Sequence, residues 1–303
     1  MRSRSSESPL VSIGLPVYNG EDYIESAIDS ILSQTFTDFE LIISDNASTD
    51  ATESICRQYA RDDSRIRYVR TPDNRGAMWN FNEVFRHATG KYYKPASHDD
   101  LHAPQFLGRC LDVFREAPSS VVLVYPQTLL IDSRGEAIEE YEDRLDLRGV
   151  VPSDRLRRYL RNVRLINAQF GLHRRVAYAS TRRLQNFVSA DTILMAELAL
   201  RGEIWELPER LFYRRDHAGR SEHAHDSYED LLHWYDPAQD RRFWGRRSTL
   251  FIELFKAIAR SPLPVAERLR CLRVALEEWG PRYGRVVGGE LKRSILDLLG
   301  TPR

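Results

Sequence analysis

The stretch LVSIGLPVYNGEDYIESAIDSILSQ, residues 10–34, decides the fold. It opens on a short apolar run, LVSIGLPVY, rich in β-branched residues and closed by Asn19 and Gly20. That is the pattern of a buried strand. Ile24, Ala27, Ile28, Ile31 and Leu32 then recur at helical spacing. Asn19, with Asp22 three residues on, is placed to cap this helix.

The same alternation continues downstream. FELIISD (39–45), RIRYVRT (65–71) and KYYKPAS (91–97) read as further strands, the last less apolar. Between them, NASTDATESICRQYA reads as a turn and helix, with Asp50 and Glu53 spaced like a capping box. NRGAMWNFNEVFRHATG becomes a helix closed by Gly90. Repeated strand–helix–strand units predict an α/β fold, a mostly parallel sheet flanked by helices. Ligands of such sheets bind beyond the carboxyl ends of the strands. Three polar clusters fall at those ends: Tyr18–Asn19, Asp45–Asn46 and Ser97–Asp100. They are expected to face one crevice.

Further on, a helix follows Pro104, and residues 120–132 read as a strand broken at Pro126. Residues 154–165 form an amphipathic helix whose Arg157, Arg161 and Arg164 share one side. That side reads as a solvated face, or as a site for an anionic acceptor. A helix at 189–202 and a strand with a proline break at Pro208 come next, and then a helical C-terminal region. The pattern changes near HAGRSEHAHDS (217–227), so the expected division is 1–220 and 221–303.

Charge and composition exclude several classes. Formal net charge is zero over 303 residues, without the basic imprint of a nucleic-acid binder. Cys56, Cys110 and Cys271 are scattered, with no C-x-x-C, which argues against a disulfide framework or a zinc site. MRSRSSESPL lacks the apolar core of a secretory signal, and no apolar run of about 18 residues exists. A cytoplasmic protein is expected. Residues 241–303 hold 14 Lys and Arg against 6 Asp and Glu. With RRFWGRR (241–247), that basic tail leaves open peripheral contact with the inner face of a membrane. No G-x-G-x-x-G follows a strand, and no P-loop is present.

The chemistry concentrates in ASHDDLHAP, residues 96–104. Asp99 and Asp100 stand between His98 and His102. They read as a metal site, a proton-transfer pair or an acidic helix start. His102 reads as structural or as facing the acceptor. Asp191, in SADTILMAELALRG, reads as a helix-capping acid in competition with Ser189, or as a proton acceptor.

Taken in order, PVYNGEDYI, SDNASTDAT, NRGAMWNFN, SHDDLHAP and SADTILMAELALRG, followed by LPERLFYRRDH, resemble family 2 glycosyltransferases. The resemblance runs from about residue 10 to about residue 220. It implies a GT-A-like fold and inverting transfer of a sugar from a nucleotide-sugar donor of the UDP, dTDP or GDP type. The acceptor hydroxyl would belong to a saccharide, a lipid-linked molecule or a small molecule. It also implies a divalent cation, Mn²⁺ or Mg²⁺, on the diphosphate. By the same resemblance, Pro16, Val17 and Tyr18 border the nucleotide base, with Asn19 and Asn74 beside it, and Asp45 hydrogen-bonds it. Asp99 holds the metal, flanked by His98 and Asp100. Asp191 is the general base, and Arg215 and His217 lie near the phosphates.

Two positions depart from the family pattern. Ser97 stands where the first acid of D-x-D is usual, and Ala190 stands where a glutamate usually precedes Asp191. Those departures also suit a degenerate, non-catalytic nucleotide-binding protein of the same fold. A sugar-1-phosphate nucleotidyltransferase is the third reading, but LPVYNGEDY lacks the basic, glycine-rich loop such enzymes need.

Overall fold

The computed structural model describes residues 8–219, 231, 234, 235 and 245–298. The opening stretch forms β1 (Val11–Val17), buried along its whole length, and α1 (Ile24–Leu32). Ile24, Ile28 and Ile31 of α1 are fully buried, each contributing about 1.5–3 kcal/mol by leaving water. Asn19 does not cap α1. A turn closed by Tyr23 and Ile24 amides on the Gly20 carbonyl intervenes, and Asn19, at φ 50°, accepts from the Thr49 amide at 2.8 Å instead.

Next come β2 (Phe39–Asp45), α2 (Thr52–Asp62), β3 (Ile66–Arg70), α3 (Ala77–His87), β4 (Tyr92–Pro95), β5 (Leu101–His102) and α4 (Phe106–Glu116). At the start of α2, Asp50 accepts from the Thr52 amide at 3.0 Å, while Glu53 pairs with Arg57 and Arg70. The expected capping box does not form, since Ala51 holds the cap position of α2. The chain continues through β6 (Val121–Ile131), β7 (Ala137–Tyr141), α5 (Pro152–Asn162), a 3₁₀ turn (Asn167–Phe170), β8 (Leu172–Arg174), α6 (Arg175–Ala179), α7 (Ala190–Arg201) and β9 (Glu203–Arg215). It ends in α8 (Arg246–Ala259) and α9 (Val265–Leu298).

Among the described residues, nine strands form one sheet in the order β3-β2-β1-β4-β8-β6-β9-β5, with β7 on β6. β3, β2, β1 and β4 are all parallel. The chain winds outward from β1 to β3 and then returns to β1's other side at β4. The order thus reverses at β1, which opens a crevice beyond its carboxyl end. Asn80 of α3 spans this point, donating to the carbonyls of Val17 (3.2 Å) and Ser44 (2.9 Å).

Neither proline breaks its strand. β6 and β9 pair in parallel, and their register shifts between Pro126 and Gln127 and again between Gln127 and Thr128. Pro208 is exposed and has no ladder partner there, as a bulge allows. β4 is buried despite its polarity. Lys94 is 1% exposed, with its Nζ 2.8 Å from His102 Nε2 and over the Phe106 ring. Burial lowers Lys94 to about 7 and holds His102 well below its usual value. His102 is thus structural.

Helices cover both faces of the sheet. α1, α2 and α4 pack on one face, and α3, α5, α7, α8 and α9 on the other. Leu254, Ile258, Cys271, Val274 and Trp279 of the C-terminal helices share an apolar layer with Leu156 of α5 and Leu198 of α7. The arginine side of α5 is solvated in part, with Arg161 and Arg164 exposed, and in part paired. Arg157 pairs with Glu277 (2.8 Å) and Glu278 (2.9 Å), and Arg161 pairs with Glu278 (2.8 Å), tying α5 to α9. The α9 helix runs through Pro281, whose exposed position leaves the freed carbonyl open to water. The described residues contain no helix long and apolar enough to cross a membrane. Residues 241–244 of RRFWGRR and 220–227 of the boundary segment lie outside the described residues.

Candidate functional site

A cavity of about 970 Å³ lies over the crevice at β1. One wall is made of strand ends and the loops that follow them. Pro16, Val17, Tyr18 and Asn19 come from β1, Asn46 from β2, Asn74 from the loop before α3, and Ser97–Asp100 from the segment after β4. Hydrogen bonds from side chain to backbone fix these loops. The Gly20 amide donates to Thr52 Oγ1 at 2.8 Å, and the Asn19 amide to Ser48 Oγ at 2.9 Å. Asn46 Nδ2 donates to Asn74 Oδ1 at 2.8 Å, and the Arg75 amide donates to Asn46 Oδ1 at 3.0 Å.

Glycine at 20 is a packing requirement. A Cβ there would stand 2.7 Å from His98 Cδ2 and 2.7 Å from Val17 Cγ2. His98 therefore rests on the loop that follows β1, which joins two of the predicted clusters.

Asp45 differs from its expectation. It is fully buried at the end of β2, and both carboxylate oxygens serve the protein. The Ser48 amide donates to Oδ1 at 2.8 Å, Tyr68 Oη to Oδ2 at 2.6 Å and Arg70 Nε to Oδ2 at 3.2 Å. Asp45 does not line the cavity, and its carboxylate positions the loop that carries Asn46 and Ser48.

The acids of ASHDDLHAP take separate roles. Asp100 is 3% exposed, and its Oδ1 accepts from the Arg215 amide at 2.9 Å. Asp99 is half-buried and lines the cavity. Ser97 Oγ donates to its Oδ1 in a short hydrogen bond, and His217 Nε2 lies 3.0 Å from its Oδ2. Burial alone would raise the Asp99 carboxyl, but His217, the His98 charge and Ser97 outweigh it and hold the group well below the usual range. Serine at 97 thus donates to the one acid that remains, where an aspartate would repel it.

Arg215 stitches the corner together. Its guanidinium donates to the carbonyls of Asp99, Asp132 and Ser133 and lies 4.7 Å from the Tyr23 ring centroid. His217 packs on the same ring at 4.7 Å.

The opposite wall comes from helix starts and turns. Gln169 and Phe170 of the 3₁₀ turn, Leu184, Val188, Ser189 and Asp191 line it, with Arg214, Trp234, Tyr235 and Arg246. Asp191 sits in the first turn of α7, and its Oδ1 accepts from the Thr192 amide at 2.8 Å. Ser189, at φ 66°, makes no side-chain cap to α7. Its Oγ accepts from Arg246 Nη2 at 2.5 Å, and its amide donates to Tyr235 Oη at 3.3 Å. Ala190 is buried in the core, so position 190 does not face the cavity.

Beneath this wall, Arg214 Nη1 donates to Asn167 Oδ1, and the Asn167 amide donates to Asp143 Oδ1 at 3.1 Å. Burial pushes Asp143 up to about 7, against the Asn167 amide and the Arg214 charge.

The structure therefore gathers Pro16, Val17, Tyr18, Asn19, Asn74, His98, Asp99, Asp100, Asp191 and Arg215 around one cavity, with His217 behind Asp99. Asn46 was expected at the crevice only as part of a strand-end cluster, and Arg246 stood in RRFWGRR, read there for membrane contact. Arg214 adjoins a residue already singled out. Nothing in the sequence pointed to Tyr23. The described residues hold no group of three or more metal-ligating side chains.

Comparison with known proteins places this geometry. The sequence model described as "Glycosyl transferase family 2" matches residues 12–162. An uncharacterised glycosyltransferase of Rickettsia typhi is 34% identical over 135 residues, which are 45% of this chain and 41% of that protein. The chain thus spans less than half the length of that relative. Staphylococcus aureus TarS (residues 1–349, in complex with UDP) superposes with a TM-score of 0.63 at 16% identity, covering 90% of this chain and 72% of that one. The mannosyltransferase PcManGT of Pyrobaculum calidifontis, in complex with GDP-Man and Mn²⁺, gives a TM-score of 0.57 at 16% identity, covering 98% and 77%. The fold is GT-A, and through residues 12–162 the chain belongs to glycosyltransferase family 2.

Proposed function

We propose that this chain transfers a sugar from a nucleotide-sugar donor to an acceptor hydroxyl, with inversion at the anomeric carbon. The observation that carries the reading is that Asp99 and Asp191, far apart in sequence, line one cavity. The strand-end wall receives the nucleotide, with Tyr18, Asn46 and Asn74 around the base. The diphosphate lies against residues 97–100, beside the Arg215 guanidinium and the His217 ring. Asp191, in the opposite wall, takes the acceptor's proton as the hydroxyl attacks. A nucleoside diphosphate leaves without protonation, so a single base suffices.

A divalent cation fits this corner. Mg²⁺ and Mn²⁺ need only one or two carboxylates when phosphate and water complete the shell. Asp99 offers one ionised carboxylate to the cavity, oriented by Ser97, and His217 adjoins it. When bound, the cation neutralises charge on the departing diphosphate. The Mn²⁺ and GDP-Man of PcManGT and the UDP of TarS support this arrangement.

The test is thermal shift with UDP-, GDP- and dTDP-sugars, with and without Mn²⁺. One donor is expected to raise the melting temperature in a Mn²⁺-dependent way, and Asp99→Asn is expected to lose that dependence. A shift indifferent to Mn²⁺ removes the metal role, and no shift from any donor removes the reading.

A further inference from the structure

The C-terminal helix α9 has two apolar sides. Cys271, Val274, Ala275 and Trp279 face the domain and are buried. Val265, Leu269 and Leu276 face outward and are 63%, 60% and 52% exposed. Their spacing of four and seven residues sets them in one row. Beside the start of α9 lies a groove of about 350 Å³, walled by Val150, Val151 and Pro152 on one side and Leu263 and Pro264 on the other. Val150 is 81% exposed. Single exposed apolar residues are ordinary, but a row beside an apolar groove marks an interaction surface.

Charge decides what that surface meets. From Arg260 to Leu276 the chain carries four arginines and one acid, Glu267. Arg268 stands three residues after Val265, and Arg273 four after Leu269 and three before Leu276, so both border the row. Glu267 is buried and serves the Ser153 amide at 2.8 Å and Arg270 at 2.7 Å. Glu277 and Glu278 are shared among Arg157, Arg161 and Arg273. Arg268 donates to the Ala259 carbonyl at 3.0 Å, and neither it nor Arg260 pairs with an acid among the described residues. The face is apolar along the row and net positive around it.

A second copy of the chain would set this positive face against itself across a two-fold axis. An anionic bilayer answers both properties. Apolar side chains enter the boundary between headgroups and acyl chains, and arginines meet lipid phosphates. We propose that the outer face of α9, with Val150 beside it, docks on a membrane surface rich in anionic lipid. α8 begins at the cavity with Arg246 and runs for 14 residues before the turn into α9, roughly 21 Å at 1.5 Å per residue. The start of α9 therefore stands away from the cavity, and donor binding does not depend on docking. The proposal is independent of the transferase reading.

Co-sedimentation of the full chain with vesicles tests it, using phosphatidylcholine alone and phosphatidylcholine mixed with phosphatidylglycerol. Binding to the mixed vesicles is expected to be about tenfold or more tighter than to phosphatidylcholine, and to fall as salt rises. Leu269→Ser combined with Leu276→Ser should weaken it about tenfold or more. Arg268→Gln combined with Arg273→Gln should flatten its salt dependence. Leu269→Trp should add an emission that moves to the blue on mixed vesicles, as the indole leaves water. Melting temperatures show whether the variants fold, and the tryptophan variant replaces an exposed side chain.

Equal binding to the two kinds of vesicle, binding that survives the serine pair, or no blue shift in Leu269→Trp overturns the proposal. So does a chain that sediments as a dimer, becomes a monomer with the serine pair and binds neither vesicle, because the face then belongs to a second copy.

Discussion

The two walls of the cavity are built by different means. The proposed donor wall stands on the ends of parallel strands and is locked by hydrogen bonds from side chains to nearby loop amides, as at Asn19, Asn46 and Asp45. The proposed acceptor wall stands on helix starts and is locked by charged side chains from distant elements. Arg182, just before this wall, pairs with Glu197 of α7 and Glu253 of α8, each at 2.6 Å. A parallel sheet fixes its strand ends through register, so local bonds suffice there. Helix starts have no such register and need long-range partners.

That difference can be broken at four points. The largest effect is expected at Arg182→Ala, which leaves the buried Glu197 without its 2.6 Å partner. Breaking such a pair costs about 3–5 kcal/mol. Denaturant unfolding should show that loss, with acceptor binding weakened more than nucleotide binding. In the donor wall, Gly20→Ala overpacks His98 and Val17, at a cost of about 1–3 kcal/mol. Calorimetry should find nucleotide affinity reduced, because the loop after β1 must move.

Lys94 tests how the strands beneath the donor wall respond to pH. Its folded value, about 7, lies below its ordinary 10.5. Between those values the unfolded chain holds a proton that the folded chain has released, so stability rises with pH across that window, by at most ~1.4 kcal/mol per pH unit. Below 7 both states hold the proton and this slope vanishes. Urea melts from pH 7 to 10 should show the rise in the wild type and a flatter curve for Lys94→Met. The smallest effect is expected at Arg157→Ala. Its pairs with Glu277 and Glu278 are partly exposed, so the cost should stay below ~1 kcal/mol. Acceptor kinetics should not change, because Arg157 faces α9 and does not line the cavity.

Legibility in the sequence follows the same division. The buried strand at 11–17 and the amphipathic helix after it are periodic signals, and the polar residues at strand ends follow from the topology they imply. SHDDLHAP was readable as chemistry, but not the division of labour within it. Asp100 serves the Arg215 amide, and only the fold brings residue 215 to residue 100. Asp45 is legible at its strand end, but the partners that hold its carboxylate are not. Its partners Tyr68 and Arg70 come from the neighbouring strand, whose register the sequence does not state. On α5, the pairing of Arg157 and Arg161 is not legible because their acids lie more than a hundred residues away. Arg246 stood out in RRFWGRR, but its place at the cavity depends on how α8 packs beside α7.

The central claim is that one wall holds the donor while Asp191 in the other performs the proton transfer. Donor turnover by Asp191→Asn, read as nucleoside diphosphate release beside calorimetric donor affinity, tests it most directly. Donor affinity is expected within about twofold of wild type, with release slowed about 10²–10⁴-fold. Release at the wild-type rate by a variant that binds donor normally would contradict it.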